Sequence, residues 1–214
     1  MGDHTAFFYG TLMAPAVLHR VIYGTSTPTA WQTSLLRIRP ALLRSFQRHK
    51  VLHADYPAIL PANSAASVRG TLVTGLTDGD IWRLDIFEGY EYQRRKVRVR
   101  VLAEAGEGMG TIDMQGGAAE DAEEGEEVEA EVYVWVAGKH RLEAQEWDFG
   151  EFVRDKMGRW VGREAQGEYA EVDDAVAAKE GNPDPTGGRG ANGTITKTLE
   201  EEKAKAKEIL KSAV

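Results

Sequence analysis

Ile81, Leu84 and Glu88 recur at helical spacing, so Glu88 shares a helix face with two core residues. A carboxylate placed there costs free energy unless it is paired or put to use. Gly89 follows as a natural helix stop, which leaves Glu88 at the negative end of the helix dipole. Burial and that dipole both disfavour the ionised form and raise the pKa toward neutrality. A carboxyl so tuned can take up and return a proton near neutral pH, as general acid/base catalysis requires. The competing reading is a structural ion pair with Arg94 or Arg95 at the edge of the core.

A second candidate is the loop Tyr9-Gly10-Thr11-Leu12, which follows a short apolar run. Its glycine permits close backbone approach, and its free N–H groups could hold a carboxylate or a developing oxyanion. Standing alone, the same glycine is explained by a turn at a strand end. Tyr56-Pro57-Ala58-Ile59-Leu60-Pro61 is a rigid extended segment whose tyrosine could line a pocket, although two prolines also mark an edge or turn. Other chemistries find no support. His4, His19, His49, His53 and His140 show no ligand-like spacing, so no metal site is expected. Gly106-Glu107-Gly108-Met109-Gly110 does not continue as a phosphate-binding fingerprint, and neither a Gly-x-Ser-x-Gly elbow nor a Walker lysine motif occurs.

Elements must position these residues. Ala6 to Tyr9 reads as a short buried strand and Ser67 to Leu76 as another. Arg95 to Leu102 and Glu129 to Val136 alternate apolar with charged residues and are expected to pair with each other. Residues 78 to 88 take helical spacing, with Thr77 as N-cap and Gly89 as stop. Phe149, Phe152, Val153, Met157 and Trp160 place a further helix over Trp147 to Trp160, lying on a sheet. The expected class is α+β, a closed or nearly closed sheet with few helices.

The 214 residues, 42% hydrophobic, suffice for one globular domain, taken as residues 1 to 165. It carries a Gly-rich and acidic insertion near residues 103 to 128. From Glu120 to Glu131 eight of twelve residues are acidic, which reads as a solvated, mobile loop. Residues 166 to 214 read as a flexible tail, with Asn182 to Gly188 a linker and Leu199 to Val214 a loosely attached terminal helix. Absence of cysteine excludes thiol catalysis and disulfides and suits a cytoplasmic setting. The amino terminus shows no secretory or lipid address, so Asn192-Gly193-Thr194 is a chance match to a glycosylation site. Apolar runs fall far short of the roughly 20 residues that span a bilayer. A net charge of −8 without a basic stripe argues against nucleic acid as a partner.

Phe8-Tyr9-Gly10-Thr11-Leu12, Asp55-Tyr56-Pro57-Ala58 and Leu84-Asp85-Ile86-Phe87-Glu88-Gly89-Tyr90-Glu91-Tyr92-Gln93-Arg94, in that order and with those gaps, resemble the gamma-glutamylcyclotransferase-like family. The resemblance is to its avirulence-induced-gene and gamma-glutamylamine cyclotransferase branch and runs from about Thr5 to Val136. It implies a small mixed β-barrel with flanking helices, a pocket between the loop and the Glu-bearing helix, and no cofactor. It further implies Glu88 as catalytic acid/base, with Tyr9, Gly10, Thr11, Leu12, Tyr56, Tyr92 and Arg94 binding or shaping the site for a small gamma-glutamyl substrate. The product would be 5-oxoproline. Two alternatives stand beside it: an enzyme of this fold acting on another acyl amide, and a binding or regulatory module without turnover. A protein partner reached through the tail is left open.

Overall fold

The computed structural model describes residues 4–103, 124–162 and 165–178. Strands β1 (His4–Phe8), β2 (Arg37–Arg44), β5 (Ser67–Leu76), β6 (Tyr92–Leu102) and β7 (Glu124–Trp135) form a closed barrel in the order β1-β5-β2-β6-β7. Strands β3 (Phe46–Lys50) and β4 (Pro57–Pro61) make a separate antiparallel pair. Neighbours in the barrel run antiparallel except β1 and β7, whose parallel contact at Ala6 and Glu131 closes it. Helices α1 (Pro15–Tyr23), α2 (Ala30–Ser34) and α3 (Asp78–Glu88) flank the barrel, followed late in the chain by α4 (Phe149–Glu151), α5 (Met157–Val161) and α6 (Gln166–Ala178). The mixed α+β barrel with flanking helices is therefore the fold.

Strand periodicity divides the core in two. Ala6 and Phe8 face a cluster that includes Leu18 and Ile22 of α1 and Leu84 of α3, while Phe7 and Tyr9 join Leu43, Leu72, Val99 and Val132 in the barrel cluster. One strand thus serves both layers, and the loop that follows it inherits a position fixed on two sides. Each fully buried Leu or Phe side chain contributes about 1.5–3 kcal/mol from removal of apolar surface.

The alternating pair read from sequence is present as β6 and β7, in register from Tyr92 opposite Trp135 to Val99 opposite Val128. Helix α3 has the ends expected of it. The Thr77 hydroxyl accepts from the Asp80 N–H, Asp80 accepts in return from the Thr77 N–H, and Gly89 ends the helix at φ 63°.

Three expectations are corrected. The acidic run does not stay a loop throughout, because Glu124 to Glu131 lie in β7, where Glu127 pairs with Arg98 and Arg100 and Glu129 with Lys96. Opposed charges across an antiparallel ladder turn a repulsive segment into a compatible one. The late helix starts at Phe149 rather than Trp147 and passes through a π-helical turn at Phe152–Lys156 between α4 and α5. The tail does not begin at 166. Helix α6 packs on the domain through Tyr169 and Val172, both essentially fully buried, so the folded unit reaches at least Ala178. The remainder of the acidic insertion, residues 104–123, and the expected terminal helix at 199–214 lie outside the described residues.

Candidate active site

Three chain segments meet around a cavity of about 400 Å³, a volume within the range of small-molecule sites. The first is the loop after β1. Thr11–Met13 form a single 3-10 turn, with the Met13 N–H donating to the Gly10 carbonyl and the Ala14 N–H to that of Thr11. The N–H groups of Gly10, Thr11 and Leu12 precede these bonds and donate to no described group in the turn. Gly10 is required for a packing reason, since a Cβ there would come within 2.7 and 2.8 Å of the Pro57 ring. The second segment, Tyr56 and Pro57, is therefore pressed against the loop. It is anchored from below where the Trp147 indole N–H donates to the Asp55 carbonyl and Lys156 and Arg159 bind the Asp55 carboxylate.

The third segment is the carboxyl end of α3. Glu88 lines the cavity together with Tyr9, Gly10, Thr11, Leu12, Tyr56 and Tyr92. Burial pushes its pKa up to about 8, and the charge of Asp85 one turn back in the helix adds to the rise. Asp85 is a contribution that the helix spacing alone did not single out. The ion pair offered as the competing reading is not formed. Arg94 binds Asp85 and Glu131, and Arg95 turns to Gln93. Among the described residues, no side chain hydrogen-bonds the Glu88 carboxylate.

The tyrosines differ in this respect, for each spends its hydroxyl on the protein. Tyr9 donates to the Tyr133 carbonyl at 2.7 Å, Tyr92 to the Pro57 carbonyl at 2.9 Å, Tyr133 to Asp85 at 2.9 Å and Tyr56 to Glu91 at 3.3 Å. Burial holds the Tyr9 and Tyr92 phenols well above the usual range, so both remain protonated donors. Tyr9 thus serves the site by fixing its wall, since its hydroxyl is committed to Tyr133.

Arg94 is the one residue expected at the site that does not line the cavity. It acts at one remove, holding Asp85, which in turn accepts from Tyr133 and raises the pKa of Glu88. Sequence reasoning missed Tyr133, Asp85 and the contribution of α6. Asp85 had a usable signal, a second acid one turn before Glu88. Tyr133 is a single aromatic residue in an alternating strand, and nothing marks its role before the barrel is closed. Helix α6 brings Glu168, Glu171 and Val172 to the rim. It is held there by the Tyr169 ring stacked on Phe87 at 5.8 Å, the Tyr169 hydroxyl donated to the Trp160 carbonyl, and Arg20 paired with Asp173. Among the described residues no group of three or more His, Asp or Glu side chains is placed to hold a metal ion, and no helix is long and apolar enough to cross a membrane.

The fold is thus a closed five-stranded barrel in which a carboxyl of raised pKa and a glycine loop line one cavity. The chain belongs to the family described as gamma-glutamyl cyclotransferase, AIG2-like, whose model matches residues 6–149. Similar curated relatives include AIG2-like protein D of Arabidopsis thaliana, 30% identical over 72% of this chain and 82% of its own. Protein AIG2 C of the same plant is 28% identical over 70% of this chain and 72% of its own. Among solved structures, a solution structure from Arabidopsis thaliana shares 26% identity and a TM-score of 0.46, covering 84% of this chain and 90% of that one. A gamma-glutamyl cyclotransferase shares 14% identity and a TM-score of 0.42, over 65% and 68% of the two chains.

Proposed function

We propose that the protein is a gamma-glutamyl cyclotransferase that releases 5-oxoproline from a gamma-glutamyl amine or peptide, with Glu88 as its acid/base and no cofactor in the reaction. The observation that carries this reading is the Glu88 carboxyl, raised to about 8, lining a cavity beside the free N–H groups of the 9–12 loop and accepting no hydrogen bond from a described residue.

The substrate's α-ammonium has a pKa above the value of about 8 for a chain terminus, because an ionised α-carboxylate stands beside it. It is thus close to Glu88, and transfer between them is only mildly uphill. Once deprotonated, the α-nitrogen attacks the γ-carbonyl carbon of the same molecule, and the loop N–H groups receive the charge that develops on its oxygen. Because attack is intramolecular, holding the glutamyl chain folded in the cavity supplies several kcal/mol of the rate enhancement. The ring C–N bond forms and the amide C–N bond breaks. Two protons pass in succession from the α-nitrogen through Glu88 to the departing nitrogen. Water is not consumed.

The test is incubation of wild type and Glu88→Gln with a panel of gamma-glutamyl dipeptides and gamma-glutamylamines, following 5-oxoproline by mass spectrometry. Release by wild type alone is expected. Release by Glu88→Gln at the wild-type rate refutes the role of Glu88. Calorimetric binding of the panel without release by either protein favours the binding-module reading.

A further inference from the structure

The loop that carries the site's N–H groups is held from outside the cavity by the small β3–β4 sheet. From β4 the Pro57 ring closes on Gly10, and from β3 the Arg48 guanidinium reaches the peptide just before it. The Arg48 Nη1 donates to the Tyr9 carbonyl at 3.0 Å and to the Arg69 carbonyl of β5 at 3.4 Å. Its Nη2 donates to Glu146 at 3.0 Å, and its guanidinium carbon lies 5.6 Å from the centre of the Trp147 ring. The side chain is only 12% exposed and does not line the cavity. As a stabilising device it is a poor one. Burial lowers its pKa without discharging it, its buried Nε donates to no described group, and its ion-pair partner Glu146 is 63% exposed.

The geometry gives this cation another task. The Tyr9–Gly10 peptide bond is trans, so the Tyr9 carbonyl and the Gly10 N–H point in opposite directions from one plane. With Arg48 holding the carbonyl, the Gly10 N–H is turned away from the guanidinium. It lies past the paired stretch of β1 and donates to no described group, and both residues of the peptide line the cavity. Resting on the cyclotransferase reading, we infer that Arg48 is a positioning residue, which fixes the Tyr9–Gly10 peptide so that the Gly10 N–H meets the γ-carbonyl oxygen as charge develops on it. A bond from a cation to the carbonyl also polarises the peptide and makes its N–H a stronger donor. The dipole is set before the substrate arrives, so nothing need reorganise as the transition state forms. The substrate carbonyl carries only a partial charge until the α-nitrogen attacks, so the contact is stronger in the transition state than in the ground state. Arg48 therefore bears on kcat more than on substrate binding.

The measurement is kcat and KM for 5-oxoproline release by wild type, Arg48→Met and Arg48→Lys, using the compound of the gamma-glutamyl panel that wild type turns over best. Thermal melts verify that the variants fold. Arg48→Met fills the space without charge or donor, and kcat is expected to fall about 10- to 100-fold while KM stays within about threefold. Arg48→Lys returns a cation to the carbonyl and should raise kcat about fivefold above the Met variant. The acidic limb of the pH profile should stay at about 8 in all three proteins, because burial and Asp85 set the Glu88 value, whereas a collapsed site would move it. Should Arg48→Met not fold, Arg48→Lys decides alone: kcat about three- to tenfold below wild type at unchanged KM is expected, and wild-type kcat refutes. If wild type releases 5-oxoproline but Arg48→Met keeps its kcat, shifts the acidic limb, or is not improved on by Arg48→Lys, this inference fails while the cyclotransferase reading stands. No release by wild type from any compound of the panel refutes both.

Discussion

Replacing Glu88 with Gln is expected to stabilise the protein while abolishing turnover, and the gain follows from proton linkage. The Glu88 carboxyl has an ordinary value of 4.5 when unfolded and about 8 in the folded chain. A folded-state pKa raised above the unfolded one means the unfolded chain loses this proton first. Below about pH 4 both states hold the proton and no difference arises. As pH rises to 7 the unfolded carboxyl ionises while the folded one does not, and the folded state loses about 3 kcal/mol relative to a side chain that never titrates. The loss levels off near 5 kcal/mol above about pH 8. A Gln amide short of partners offsets about 1 kcal/mol. The variant should therefore exceed wild type by about 2 kcal/mol at pH 7 and match it or fall slightly below at pH 4. Urea unfolding of both proteins at pH 4, 5.5, 7 and 8 measures this directly. A variant no more stable than wild type at pH 7, or a gain that does not grow with pH, would refute the claim that burial holds a proton on Glu88.

Four further outcomes follow from the same geometry. Because Glu88 must be ionised and the substrate amine protonated at the outset, kcat/KM should trace a bell whose acidic limb is set by about 8 for Glu88 and whose basic limb lies above it, set by the amine. Asp85→Asn removes the charge that helps raise the Glu88 pKa, so the acidic limb of that bell should move to lower pH, whereas a purely structural Asp85 would leave the limb in place. Gly10→Ala drives a methyl into the Pro57 ring, which should cost about 1–3 kcal/mol in a thermal melt and weaken substrate binding. Ending the chain at residue 165 exposes the seats of buried Tyr169 and Val172, so stability should fall by about 3–5 kcal/mol in chemical unfolding rather than stay constant.

Legibility in the sequence followed local periodicity. Helix α3 was readable to its ends because Thr77 and Gly89 each signal a cap, and β6 and β7 because strict alternation over eight residues has few other solutions. The acidic stretch at 124–131 read as loop because its neutralising partners, Lys96, Arg98 and Arg100, lie on another strand, and opposition across a ladder is invisible along the chain. Helix α6 failed for a related reason. Its residues are mostly Ala and acidic, with too few apolar positions for a core-facing stripe, and its docking rests on buried Tyr169 and Val172 and one ion pair to α1. Local propensity reports the average surroundings of a segment, whereas these two segments depend on specific distant partners. The same limit applies to the site. Glu88 and the glycine loop announced themselves by type and spacing, but the way Arg94 reaches the site through Asp85 did not, since its partners Asp85 and Glu131 become neighbours only once β6 pairs with β7.

The single parallel seam between β1 and β7 has a consequence for how the protein comes into being. Strand β1 pairs with residues some seventy positions away in β5 and touches Glu131 in β7. Its loop carries the N–H groups of the site, yet it leaves the ribosome before any strand that will hold it. Long loop closures of this kind slow folding and come late. The barrel cannot close until β7 has been made, and with β7 comes Tyr133, whose carbonyl accepts from Tyr9 and whose hydroxyl donates to Asp85. A chain in which the seam is still open therefore lacks the Tyr133 wall of the site, and regain of full function in refolding is expected only once the seam has closed.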